Sequence, residues 1–166
     1  MPGPTRAVQG FGAVTTPLSP DEQQHRSAWF REHWQTGVAF NRTCGITVRA
    51  WGPDGVEMVM PYSDELSAHV GVFHGGALAT LIDTAGGAAV MAGHDFNLGS
   101  RLSTVSMSVQ YLAAARGETV VAHAHCTKRG RQTHFAEVMV RMESGLPVAQ
   151  GLVTVTIVGE RAEFRP

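Results

Sequence analysis

Beyond Gly99 the chain alternates hydrophobic and polar residues with a period of two through four segments, ending near Ala113, Lys128, Glu143 and Val158. Such a period puts one set of side chains on each face of an extended chain, so each segment is read as a strand with one buried face. The breaks at Arg116-Gly117-Glu118, Arg129-Gly130-Arg131 and Ser144-Gly145-Leu146-Pro147 carry the turn residues of antiparallel connections. Earlier, Gly45 to Trp51 and Val56 to Pro61 flank Gly52-Pro53-Asp54-Gly55, a second turn signal between two extended runs.

Between these groups the period changes. From Gly75 to about Ala92, Leu78, Leu81, Ile82, Ala85 and Ala89 recur at helical spacing and define one apolar face. Near the start, Ser19-Pro20-Asp21-Glu22 has the residues of a helix entry: a capping hydroxyl, proline in the first turn and acids at the positive end. That helix is expected over 19–36, stopping at Gly37, with Trp29, Phe30 and Trp34 large enough to dock it on the rest. Residues 1–18 read as an irregular arm, 62–74 as a polar loop and 161–166 as a tail. The order of helix, two strands, long helix and four strands predicts an α+β fold. In it, an antiparallel sheet of about six strands wraps one long central helix (about 75–92), all within a single domain over 19–160.

Length and composition narrow the function classes. With 166 residues, 43% apolar, 16% charged and a formal net charge of −1, the chain is neither disordered in character nor basic enough to be drawn to nucleic acid. Cys44 and Cys126 are too few and too far apart for a metal knuckle or a disulfide framework. Neither a signal-length apolar run near the start nor about 18 consecutive apolar residues elsewhere is present. A soluble, cytoplasmic protein with no membrane or nucleic-acid partner is the expectation.

The central helix carries the candidate chemistry. At 100° per residue, Gly76, Thr80, Asp83 and Gly87 fall together on the face opposite the apolar stripe. A solvent face would carry lysine, glutamate and arginine; small residues with one carboxylate predict a covered face, most simply by a second copy of the chain. A covered acid is usually paired or functional, although a hydrogen bond to a loop backbone would also account for Asp83. At the helix entry, His74-Gly75-Gly76 leaves the first N–H groups open, in a position that favours developing negative charge. Gly75 and Asp83 are separated by a rise of ~12 Å. That is too far for both to act on one carbon, so the Gly75 and the Asp83 of one site are expected to come from different subunits.

His74-Gly75-Gly76-Ala77-Leu78-Ala79-Thr80-Leu81-Ile82-Asp83-Thr84 resembles the helix signature of the hotdog-fold acyl-CoA thioesterases, in the PaaI-like branch of the 4-hydroxybenzoyl-CoA thioesterase superfamily. The resemblance covers roughly residues 37–160. It implies hydrolysis of an acyl-CoA in a homodimer or homotetramer, with no metal and no cofactor besides the coenzyme A of the substrate. Carried over by position, Asp83 matches the catalytic carboxylate, Gly75 the N–H donor to the thioester carbonyl, and Thr104 a hydroxyl that holds the water or the acid. Where the family often has an Asn, six residues before the histidine, this chain has Ala68 with His69 beside it; either His69 takes over that role or the second donor is missing.

Other groups compete for attention. Asp64 and His69 have the spacing of the acid–base pair of hotdog enoyl-CoA hydratases, without its flanking residues. A non-catalytic acyl-CoA binding module on the same fold is the other rival. Lys128-Arg129-Gly130-Arg131, with the chain's only lysine, is either a solvated hairpin tip or a clamp for the phosphates of coenzyme A. His74 and Gly76 would join that substrate contact. His123 and His125 share one strand face but lack a third metal ligand nearby. His134, in phase with Ala136, Val138 and Val140, reads as a satisfied core histidine. In Thr104 to Tyr111, the alternation sets Thr104, Ser106, Ser108 and Gln110 on the face opposite Val105, Met107, Val109 and Tyr111.

Overall fold

The computed structural model describes residues 16–159; the rest of the expected arm and the tail at 161–166 lie outside the described residues. Helix α1 (Pro20–Glu32) opens as its sequence dictates. The Ser19 side chain accepts from the Glu22 N–H while the Glu22 carboxylate accepts from the Ser19 N–H, a reciprocal cap. The expected single helix to Thr36 is corrected in its last turn. His33–Gly37 widens into a π-helical turn and a short helix α2 (Ala39–Thr43) follows.

Strands β1 (Thr47–Gly52) and β2 (Gly55–Met60) pair around the predicted turn. The segment read as a polar loop is more ordered than its composition suggests. It holds a 3-10 turn at Asp64–Leu66 and a small hairpin of β3 (Ser67–His69) and β4 (Val72–Phe73). Strands this short carry no readable alternation, which is why the pattern missed them. Helix α3 (Gly75–Ala92) is followed by β5 (Arg101–Tyr111), β6 (Val120–Arg129), β7 (Thr133–Met142) and β8 (Pro147–Val158).

The six long strands form one antiparallel sheet in the order β1-β2-β6-β7-β8-β5, with α3 against its inner face. Leu81, Ile82, Ala85, Ala88, Ala89, Val90 and Met91 are fully buried there; each large side chain among them contributes about 1.5–3 kcal/mol. Close approach is built in. A Cβ on Gly86 would stand 2.6 Å from Val153 Cγ2, and one on Gly151 would meet Ile82 Cγ2 at 2.5 Å. The run of small residues at 85–89 is therefore used mostly to seat helix on sheet. By length and apolarity α3 could cross a membrane, but 67% of it is buried inside the protein, as befits a core helix.

One end of the sheet is left open. Among the described residues β5 pairs only with β8 and its other edge has no partner, and Val105, Met107 and Tyr111 along it are exposed.

Candidate active site

The start of α3 is fixed by His74. Its extended backbone (φ −66°, ψ 137°) places the imidazole back over the first turn, where Nδ1 accepts from the Gly76 N–H at 2.8 Å. The ring proton therefore sits on Nε2, and His74 acts as the helix cap. This narrows the expectation that both glycine N–H groups are open. The Gly76 N–H is used by the cap, whereas the Gly75 N–H has no hydrogen bond among the described residues and stands at the positive end of an 18-residue helix.

Two turns along, Asp83 is half-buried, and the Thr104 hydroxyl donates to its Oδ1 at 2.8 Å. The pairing of β5 with β8 explains how Thr104 reaches it. Thr104 lies opposite Val155 and Ser106 opposite Thr154, so Val105 is an extra residue bulged out of the ladder. Before the bulge Leu102 and Thr104 face the helix; after it Met107, Val109 and Tyr111 do. Simple alternation, which sets Thr104 and Tyr111 on opposite faces, is corrected by that one residue.

Tyr111 is the group the sequence reading missed. Its hydroxyl donates to the Gly75 carbonyl at 2.9 Å, and its ring lies 3.2–3.3 Å from where a Cβ on Gly75 would be. A Cβ at 75 would push that ring aside by a few tenths of an ångström. One strand thus touches both ends of the site, Thr104 at the carboxylate and Tyr111 at the open N–H.

The expected cover of the Gly76–Gly87 face is corrected for its last turn. There the cover belongs to the same chain: Trp34 Cζ2 and Leu102 Cδ2 lie 3.3 and 3.5 Å from a Cβ position on Gly87. A ring of hydrogen bonds holds Trp34 in place. Its Nε1–H donates to the Thr84 carbonyl (3.0 Å), the Thr84 hydroxyl to Asn41 Oδ1 (3.2 Å), and the Asn41 amide to the Trp34 carbonyl (2.8 Å).

The remaining candidates separate. His69 is exposed on β3, with no hydrogen bond to Gly75, Asp83 or Thr104 among the described residues. The Asp64 carboxylate accepts from the Tyr62 hydroxyl at 3.0 Å; no hydrogen bond joins it to His69, so the hydratase pair is not assembled. Lys128 and Arg129 end β6, and Gly130 and Arg131 open the turn to β7; the Arg129 side chain, itself exposed, donates to the carbonyls of Val90 (2.6 Å) and Ala89 (3.2 Å). These bonds engage its guanidinium at the C-terminal end of α3; Lys128 and Arg131 are exposed as well.

His123 and His125 pair with Glu57 (3.3 Å) and Glu137 (3.8 Å) in a groove of about 730 Å³ on the outer face of the sheet, away from Asp83. Among the described residues no three His, Cys, Asp or Glu side chains converge to hold a metal. Cys44 is buried and burial raises its thiol pKa, which suits an inert core thiol. His134 is in the core as expected but is not satisfied: it is 2% exposed and neither ring nitrogen has a partner among the described residues.

The family model described as Thioesterase superfamily matches residues 70–149, from the β3–β4 hairpin through α3 to the start of β8. Human acyl-coenzyme A thioesterase 13 is 31% identical over 115 residues, 68% of this chain and 80% of that protein. The chain belongs to the Thioesterase superfamily.

A Halobacterium salinarum protein with a provisional esterase name is 34% identical over 99 residues, 58% of this chain; the match spans 65% of that relative, just under two thirds of its length. Among solved structures, a Shewanella oneidensis protein related to the thioesterase superfamily superposes with a TM-score of 0.74 at 24% identity, covering 85% of this chain and all of that one. E. coli PaaI superposes with a TM-score of 0.71 at 20% identity, over 81% of this chain and 96% of its own. The hotdog fold and the thioester-hydrolase class expected from the helix signature are those of the family.

Proposed function

We propose that this thioesterase hydrolyses acyl-CoA, with Asp83 activating water and the Gly75 N–H polarising the thioester carbonyl. The observation that carries the reading is the Thr104–Asp83 hydrogen bond at 2.8 Å. It occupies Oδ1 and fixes the carboxylate plane, leaving Oδ2 to take a proton from water. Water oxygen bonds to the carbonyl carbon as Oδ2 accepts its proton, and the Gly75 N–H, backed by the helix dipole, stabilises the oxyanion. The carbon–sulfur bond then breaks, the electron pair leaves on sulfur, and the proton held by Asp83 passes to the departing thiolate. Free acid and coenzyme A result, and no metal or further cofactor enters the reaction.

The ~12 Å rise between Gly75 and Asp83 in one helix supports sites built by two subunits, the N–H from one and the acid from the other. The unpaired edge of β5, eleven residues long and with three exposed large apolar side chains, is the surface a second copy would cover; the reading is a homodimer, or a tetramer made of two. His69, exposed beside the Ala68 position, adds a second carbonyl donor once substrate is bound. A Streptococcus pneumoniae thioesterase protein of this fold was solved with coenzyme A, which supports coenzyme A as the carrier here. This chain's Lys128 and Arg131 stand at the turn whose Arg129 reaches Ala89 and Val90, beyond Gly87 on α3. In this reading they serve the coenzyme A tail bound at a neighbouring copy.

Free-thiol release from phenylacetyl-, benzoyl-, short- and medium-chain acyl-CoAs tests the proposal. Turnover of at least one ester, by a species of at least twice the chain mass in solution, is expected; binding without thiol release from any ester would refute it.

A further inference from the structure

Resting on that reading of the site, we infer that Trp34 is the wall that ends the acyl channel, making this an enzyme for short or compact acyl groups. In this reading the acyl channel follows the line between α3 and β5 on which Asp83 and Thr104 meet. Followed toward the C-terminal end of α3, its next floor residue is Gly87, one turn or ~6 Å beyond Asp83. Its next β5 residue facing the helix is Leu102, two before Thr104. Both meet the same indole: a Cβ on Gly87 would contact Trp34 Cζ2 at 3.3 Å, Trp34 Cη2 at 4.0 Å and Leu102 Cδ2 at 3.5 Å.

The indole is itself packed against further rings, Phe30 at 6.4 Å and Trp51 at 6.1 Å between centroids. An end lined by tryptophan, leucine and glycine offers nothing to a charged nucleotide tail and suits the acyl group. It is also shut within about one helical turn of the carboxylate.

The wall is held rigidly, as the closed hydrogen-bonded ring of Trp34, Thr84 and Asn41 shows. Thr84 is the immediate neighbour of Asp83, so the side chain that limits the acyl group is tied to the helix turn that carries the acid. Trp34 itself stands in a π-helical turn, and Gln35 in the same turn accepts from the Val48 N–H at 3.0 Å. Such turns are rare and frequently mark functional positions.

The test is a kcat/KM profile over straight-chain acyl-CoAs from acetyl to palmitoyl, with phenylacetyl-CoA, for the wild type, Trp34→Ala, Trp34→Phe, Leu102→Ala and Gly87→Ala. The expected wild-type profile falls steeply above short chains. Trp34→Ala should shift the optimum to longer chains and raise kcat/KM on the first rejected length about tenfold or more, with kcat on the best short ester changed only a few-fold. Leu102→Ala should shift it the same way, Trp34→Phe less, and Gly87→Ala the opposite way. Should Trp34→Ala not fold, Leu102→Ala and Gly87→Ala decide between them. An equal loss at every chain length, or an unmoved optimum, would overturn the wall while leaving the hydrolase intact. No turnover by the wild type on any ester would overturn the underlying reading and the wall with it.

Discussion

Thr104 and Asp83 are joined at 2.8 Å across the gap between β5 and α3 because Val105 is an extra residue in the β5–β8 ladder. Without that bulge, a strand that directs Val109 and Tyr111 at the helix would aim Thr104 away from it. Thr104 holds one carboxylate oxygen and, in the proposed mechanism, positions the other. Thr104→Val should lower kcat by about 10–100-fold with little change in KM, and Thr104→Ser should restore it to within a few-fold. Equal kinetics for the valine and serine variants would count against this role.

The Tyr111 ring lies close to Gly75, 3.2–3.3 Å from its Cβ position. Gly75→Ala keeps the N–H but pushes on the phenol, and should cost about tenfold in kcat. Combining it with Tyr111→Leu should recover part of that loss, a non-additivity that a double-mutant cycle would measure.

In the proposed reading the basic residues at the end of β6 and in the following turn have two functions. Arg129→Ala frees the carbonyls of Ala89 and Val90 and should lower stability by about 1–2 kcal/mol, seen as a lower Tm, with KM unchanged. Lys128→Ala with Arg131→Ala should leave Tm in place and raise KM for CoA esters severalfold at low salt. An exchange of these two outcomes would return the clamp to Arg129.

Acid lability is expected from the buried imidazoles. Their rings stand 5.8 Å apart. Burial, then the charges of His94 and Arg129, lower the pKa of His134. Burial lowers His94 most, with Arg129 adding to it and the Gly99 carbonyl and Asp95 opposing. Unfolded, each ring takes a proton near about pH 6.5. Below that value the unfolded chain binds more protons, so stability is fully present above about pH 6.5 and is lost as pH falls toward the depressed native values. Urea melts near about pH 7.5 and about pH 5.5 should show the loss. His134→Leu, which removes an unpartnered buried polar ring, should reduce it and add about 1 kcal/mol at neutral pH.

Much of this was legible in the chain because it was written in long patterns. Helix α3, the paired strands and the Ser19 cap each extend over enough residues for periodicity or capping chemistry to show. The Asp83 and Gly75 assignments came from the helix signature, and geometry then gave Asp83 a partner and Gly75 a free N–H. What stayed hidden was set by tertiary contact. Val105 looks like any alternating valine until its ladder partners are known, and Tyr111 reads as a strand aromatic. The covered helix face was visible as a row of small residues, but nothing local said that Trp34, fifty-three residues before Gly87, covers its last turn. Likewise Arg129 reads as one cation among three until Gly93 leaves space for its guanidinium beside the end of α3.

The central claim rests on one carboxylate. Steady-state thiol release by Asp83→Asn, set beside wild type on the best acyl-CoA, tests it most directly, with ester binding measured on the same preparations. The account predicts that kcat falls by about 100-fold or more while binding is kept within a few-fold. Turnover within a few-fold of wild type in that variant would contradict it and move the chemistry to another group.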